Sequence, residues 1–276
     1  MGEYNTLAHE CYKLLFPQEL KIQLGEHIIL VPDGPLNYLS FDALVTEHDS
    51  LNTPSFLIYK HEITTLPTEQ LIPFIEKTND TKGADIFCFS DDTSIRQNTK
   101  KRLSELPWAI YETQSVAEAI PKSSLYKGKE ATVSQLLHSL RESNKLVHIA
   151  THGVSSSNSR YDVKLYLRNN DYTLDSIYGH EFLDIDIDAE LIVLTSCQSG
   201  TGAQNFSEGV YDLKRYMLAQ GAKEVVVSLW DLDDQSTYKI IQSFYNQSIP
   251  NLRTAKLNYL ETNPDKSMPY FWAGLQ

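Results

Sequence analysis

Cysteine is scarce in this 276-residue sequence, which holds only Cys11, Cys88 and Cys197. An odd and sparse set argues against a disulfide framework and for a reducing compartment, so each thiol needs its own account. Basic charge is also short, with 24 Lys and Arg against 36 Asp and Glu, a net charge of −12. Such a surface repels phosphate backbones and anionic lipid over most of its area, so no direct nucleic-acid or membrane partner is expected. No run approaches the roughly 18 apolar residues of a spanning helix. The first ten residues lack a basic stretch followed by an apolar one. These absences predict a cytoplasmic chain. Internal repeats and low-complexity segments are lacking too.

What remains is ordinary globular composition, 41% hydrophobic and 22% charged, enough for one large domain or two small ones. Short apolar runs alternate with amphipathic stretches. His27–Val31 reads as a strand, ended by the breakers of Pro32-Asp33-Gly34-Pro35. Phe41–Val45 fits a helical turn or a short strand, and Ser55–Lys60 is a second apolar run. Gln70–Lys77 has helical spacing behind Thr68. Ala84–Ser90 reads as a buried strand, and the polar stretch 91–101 as an exposed loop or internal boundary.

Glu112–Ile120 and Thr132–Ser143 carry helical spacing. Leu146–Ala150 and Leu191–Thr195 are strands, separated by a polar insert in which Val163–Leu167 alternates. Glu208–Ala219 is an amphipathic helix with Gly221 as its C-cap, followed by a strand over Glu224–Trp230. This alternation predicts a mostly parallel sheet with helices on both faces.

Two strands run into reactive residues: LVHIA into Thr151-His152-Gly153, and LIVLTS into Cys197-Gln198-Ser199-Gly200. If the strands are parallel neighbours, His152 and Cys197 meet at one sheet edge. A thiol at its usual pKa of about 8.5 is only a few per cent thiolate near neutrality, and an adjacent imidazole activates it. Gly153 and the N–H of Cys197 are candidate donors to a developing oxyanion. The alternative is a buried structural cysteine and a capped strand end. Cys88, inside an apolar strand, and Cys11, in a helix, read as structural.

Zinc needs three or four ligands, and no Cys-x-x-Cys pair stands here. His148, four residues before His152 in the same strand, reads as a hydrogen-bonded core histidine. Ser196 and Ser199 flank the cysteine without a Gly-x-Ser-x-Gly elbow. No metal or cofactor is expected.

The stretches LVHIATHG, LIVLTSCQSGTG, EGVYDLKRYMLAQGAKEVVVSLWDLDD and MPYFWAGLQ resemble, in order, the CHAT domain peptidases, relatives of caspases and separase. IILVPDGPLNYLSFDALV resembles the segment that opens this domain, so the likeness spans Phe16 to Gln276. It implies a caspase-like three-layer α/β sandwich with a mostly parallel central sheet flanked by helices. Residues 1–16 would be a lead-in helix or linker, 17–125 a degenerate half and 126–276 the active half. The family's general base maps onto His152 and its nucleophile onto Cys197. The implied activity is a cysteine endopeptidase acting on a protein substrate through a thioester acyl-enzyme. A catalytically silent adaptor is the alternative. The tetratricopeptide repeats that commonly precede such domains do not fit ahead of Phe16, so a regulatory protein or repeat region is an expected partner.

Relatives select the side chain before the cleaved bond with a pocket beside the strand that here ends in Ser228-Leu229-Trp230. One of Asp231, Asp233 and Asp234, with Asp231 favoured, is expected to face that pocket and bind a basic residue, with Trp230 as a wall. The competing readings are a helix cap for Asp233 and Asp234 and a core role for Trp230. Glu208 and Gly209 either steady the active site or simply begin a helix. Val154–Asn158 is expected as a mobile cleft rim, ordered by an activating partner or ligand.

Overall fold

The structure is a computed structural model. It describes residues 2–21, 24–48, 53–74, 83–89, 106–142, 145–156, 159–171, 173–195, 197–198 and 206–276. In the N-terminal part, helices α1 (Gly2–Leu15) and α2 (Gln18–Lys21) precede strands β1 (His27–Leu30), β2 (Val45–His48), β3 (Pro54–Phe56) and β4 (Glu62–Thr65). β5 (Ala84–Cys88), α3 (Pro107–Ala119), β6 (Ser124–Lys127), α4 (Val133–Arg141) and β7 (Lys145–Ala150) follow. Next come β8 (His152–Ser156), β9 (Ser159–Arg168), β10 (Leu174–Tyr178), β11 (Ala189–Leu194) and β12 (Cys197–Gln198). The chain closes with α5 (Phe206–Ala219), β13 (Glu224–Val227), α6 (Asp234–Tyr245) and α7 (Leu252–Thr262).

The centre is a five-stranded sheet in the order β13-β11-β7-β5-β6, and every neighbouring pair in it is parallel. A parallel sheet buried on both faces reads as continuous apolar sequence, which is why these runs are legible. Alternate residues serve opposite cores. Val147, Ile149, Ile192, Leu194, Val225 and Val227 face one, with Leu136 and Leu140 of α4 and Leu213 and Met217 of α5. Leu146, Leu191, Val193 and Val226 face the other, against Val116 of α3, Ile240 and Phe244 of α6, and Ala255 and Tyr259 of α7. Helices thus cover both faces, as the alternation of elements predicted. The boundary expected at 125/126 falls within β6, and strands from both sides of it share the central sheet.

Local signals account for several element ends. Thr132 caps α4, its hydroxyl accepting from the Gln135 N–H at 3.1 Å. α5 stops at Gly221, whose φ of +113° suits glycine; a Cβ there would lie 2.4 Å from the Ile187 carbonyl oxygen. The last residues return along the free side of β13, where Val227 and Gln276 exchange backbone hydrogen bonds of 2.7 and 2.9 Å. Ser40 donates to the Ala273 carbonyl at 2.6 Å, so the segment after Gly34 and the terminal Trp-Ala-Gly stretch are neighbours. The remainder of the region expected as a helix from Gln70 is a 3-10 turn over Glu69–Phe74, consistent with Pro73, which removes a backbone donor; residues 75–77 lie outside the described set. The polar stretch 91–101 does too. Among the described residues, no helix is long and apolar enough to cross a membrane.

Two expectations need correcting. The chain leaves the central sheet after Ala150, but not for a loop: β8 begins at His152 and turns back into β9, and a four-stranded sheet forms in the order β10-β9-β8-β12. Val154–Ser156, expected as a mobile rim, are strand residues in β8; 157–158 are outside the described residues. Hydrophobic periodicity did not reveal β8 because its residues after His152 are glycine, valine and serines, a pattern that backbone pairing with β9 supports without an apolar face. His148 and His152, expected in the same strand, fall in different ones: β7 stops at Ala150, and β7 and β8 belong to different sheets.

Candidate active site

β7 and β11 are parallel neighbours, with Ile149 opposite Leu194. Each carries its chain toward the same sheet edge, and there the next short strands pair as well. β8 and β12 are parallel, with His152 opposite Cys197 and Gly153 opposite Gln198. Register partners on adjacent strands sit about 4.8 Å apart between strand axes. The two residues singled out from separate strand ends are therefore backbone neighbours, 45 positions apart in sequence.

His152 is 2% exposed. The junction before it is pinned, because Thr151 is fully buried and donates its hydroxyl to the Tyr166 carbonyl at 2.5 Å. Gly153 lies within the sheet, opposite Leu165 of β9 on one side and Gln198 of β12 on the other. Ser196 and Ser199 lie outside the described residues. Glu208 and Gly209 fall in the first turn of α5. Cys88 is buried in β5 and Cys11 exposed on α1, the strand and the helix in which the sequence placed them.

Beneath this edge lies a buried polar cluster that the sequence did not disclose. A nitrogen of His148, on β7, contacts Glu112 Oε1 of α3 at 2.8 Å. Its other ring nitrogen is 3.3 Å from the Tyr245 hydroxyl of α6. Thr195, at the end of β11, donates its hydroxyl to the same Glu112 oxygen. All four side chains are under 9% exposed. Burial pushes the Tyr245 hydroxyl well above its usual pKa, and the Glu112 charge adds to the rise. The sequence reading gave His148 a hydrogen-bonded core role, and the structure agrees. Glu112 gave no signal, being one acidic residue in an amphipathic helix.

The residues expected to select substrate follow β13, which neighbours β11 in the sheet. Leu229 and Leu232 are buried, and Asp231 between them is exposed. Trp230 is half-buried against both cores and donates its indole N–H to the Tyr270 carbonyl at 3.1 Å. Asp233 is the N-cap of α6: one carboxylate oxygen accepts from the Ser236 N–H at 2.9 Å, the Ser236 hydroxyl at 2.6 Å and Lys266 Nζ at 3.0 Å. Against the desolvation that raises it, these bonds hold its carboxyl below the usual pKa. The capping alternative thus describes this residue, and Asp234 opens the helix after it.

Comparisons with known proteins bear on the whole molecule. The model of the CHAT domain matches residues 5–276. Tetratricopeptide repeat protein 28 of Mus musculus is 27% identical over 99 residues, which is 34% of this chain and 4% of that protein. The Homo sapiens protein of the same name is 29% identical over 99 residues, again 34% of this chain and 4% of its own length. The matched stretch is thus a small part of those curated relatives. The family match, by contrast, takes in the five-stranded and four-stranded sheets and the two segments that meet at Ser40 and Ala273, and the chain belongs to the CHAT domain family, whose fold is caspase-like.

Proposed function

We propose that the chain is a cysteine endopeptidase with Cys197 as nucleophile and His152 as general base. The observation that carries the reading is the register of β8 and β12, which makes the two residues direct partners. In the proposed reaction the Cys197 thiolate adds to the carbonyl carbon of a peptide bond, and the oxyanion takes hydrogen bonds from the backbone N–H groups of Gly153 and Cys197. His152, holding the thiol proton, passes it to the leaving amine as the C–N bond breaks. Water then attacks the thioester, giving His152 its proton, and the thiol is restored as the carboxylic acid leaves. No metal or organic cofactor enters this scheme.

Asp231 is proposed as the carboxylate that receives a Lys or Arg just before the cleaved bond, with Trp230 as the wall. Its exposure at the sheet edge beside β11 supports this. Asp233, committed to its cap, is left out of the pocket. Activity is proposed to depend on a regulatory protein or a tetratricopeptide-repeat region. A buried His152 supports that dependence, because a general base must come within hydrogen-bond reach of the group it serves. A thiol nucleophile also favours a reducing, cytoplasmic setting.

The same burial favours a second reading, a silent caspase-like adaptor. An acyloxymethyl ketone carrying Arg or Lys separates them. The proposal expects a mass adduct on Cys197 that disappears in Cys197→Ala and falls sharply in His152→Ala, with an uncharged analogue reacting less. Adducts on Cys11 or Cys88 instead would overturn the assignment, and an unreactive Cys197 in the folded, repeat-bound protein would favour the adaptor.

A further inference from the structure

Trp230 leaves the central sheet at the same edge as the candidate nucleophile. Leu194 of β11 pairs with Val227 of β13, and Cys197 and Trp230 each follow three residues further along their chains. The indole is half-buried, touching both cores, and its N–H donates to the Tyr270 carbonyl at 3.1 Å.

Against that indole lies Gly274, which is buried. A Cβ there would stand 2.8 Å from Cε2 and 3.1 Å from Cδ2 of Trp230, the ends of its fused ring bond, and 2.8 Å from Leu232 Cδ2. The φ of Gly274 is outside the left-handed region, so alanine suits the backbone and space alone excludes a side chain. Packed carbon atoms do not approach within 3.0 Å, so a neighbour must yield. Gly274 itself is held: its carbonyl accepts the Leu229 N–H at 2.8 Å, and the Ala273 carbonyl accepts the Ser40 hydroxyl at 2.6 Å. Two residues on, Gln276 and Val227 exchange bonds of 2.7 and 2.9 Å. Leu232 ends in methyl groups that can turn to another rotamer. The indole is a rigid plate with a buried glycine on one side, so it can give way only outward.

We propose that Gly274 is a positioning residue for substrate selection: its bare Cα lets the Trp230 indole lie back against the terminal strand, and the room left in front admits the long side chain of Arg or Lys before the cleaved bond. The inference rests on the proposed function, in which Trp230 walls that pocket. A side chain at position 274 drives the indole into the room a basic residue needs. In an apolar pocket, a difference of one carbon's width is worth roughly tenfold or more. A short substrate side chain does not reach the wall and is unaffected.

Acyloxymethyl ketones carrying Arg or Ala are compared in their labelling of Cys197, over a range of concentrations, in wild type, Gly274→Ala, Trp230→Leu and the double variant. The Trp230 indole N–H resonance, assigned by its loss in Trp230→Leu, is followed in ¹⁵N spectra. In Gly274→Ala the Arg probe is expected to label roughly tenfold more slowly below saturation, through weaker binding and not a slower reaction step. The Ala probe should be unchanged and the indole resonance should move. In the Trp230→Leu background, Gly274→Ala should alter the Arg-to-Ala ratio no further. Equal loss for both probes, an unchanged ratio, or an effect undiminished without the indole would each overturn the proposal. Should Gly274→Ala fail to fold, the double variant must fold, and its failure would place the conflict elsewhere and overturn the assignment. A wild-type chain that neither probe labels sinks the peptidase reading and the pocket role with it, whereas wild-type labelling with an unmoved resonance in Gly274→Ala sinks the role of Gly274 alone.

Discussion

His148 and Glu112 form a fully enclosed pair, 2.8 Å apart between β7 and α3, and the Glu112 oxygen that holds the imidazole also takes the Thr195 hydroxyl. One carboxylate thus ties together the two strands that lead to His152 and Cys197.

Glu112→Ala is expected to destabilise the fold by on the order of 3 kcal/mol, since it strands a buried imidazole and a buried hydroxyl at once. Glu112→Gln keeps an acceptor and should lose less. Urea unfolding of both variants reads the difference. If Cys197 is the nucleophile, its labelling rate should fall in Glu112→Ala even under conditions where the protein remains folded, because Thr195 stands two residues before it.

Asp231 and Asp233 should separate cleanly. Asp233→Ala removes a cap and is expected to cost about 1 kcal/mol while leaving side-chain preference unaltered. Asp231→Asn should leave stability nearly unchanged and reduce the preference for Arg or Lys probes. Because the Asp233 carboxyl is held below its usual pKa, its contribution is present at neutral pH and is lost as pH falls through the folded-state value. The stability gap between wild type and Asp233→Ala should therefore narrow under acid. A shift of probe preference in Asp233→Ala would restore it to the pocket.

Lys214→Met should stabilise the protein at neutral pH. With a folded pKa of about 8 against the usual 10.5, the unfolded chain binds more protons between those values, so wild-type stability rises with pH across that window. Below about pH 8 both states are charged and the full penalty applies, on the order of 3 kcal/mol from the size of the shift. The advantage of the variant should shrink steadily from there to about pH 10.5. Thermal or urea unfolding of the pair across that range measures it, and a difference independent of pH would contradict the burial of the ammonium.

Gly221→Ala tests the stop signal of α5. The positive φ and the close Ile187 carbonyl oxygen predict a loss of about 1–3 kcal/mol. A neutral result in unfolding experiments would mean that the helix end can rearrange.

The sequence by itself determined the central sheet. Runs such as Leu146–Ala150 and Leu191–Thr195 are apolar on both faces, and only burial between two layers of helix accommodates that composition. Caps can announce themselves locally, as Gly221 did, because a cap is a bond or a backbone angle within a few residues. The motifs around His152 and Cys197 were legible for the same reason, and with them the family.

The tertiary structure decided what depends on distant partners. That His152 and Cys197 are register partners follows from how β7 and β11 align, which neither segment encodes alone. β8 exists because β9 and β12 pair with it, and backbone hydrogen bonds leave little trace in side-chain pattern. Glu112 and Lys214 look like ordinary charges on amphipathic helices. One becomes a buried brace and the other a buried cation only when the helices dock, since burial is a property of the packed layers and not of the helix that carries the residue.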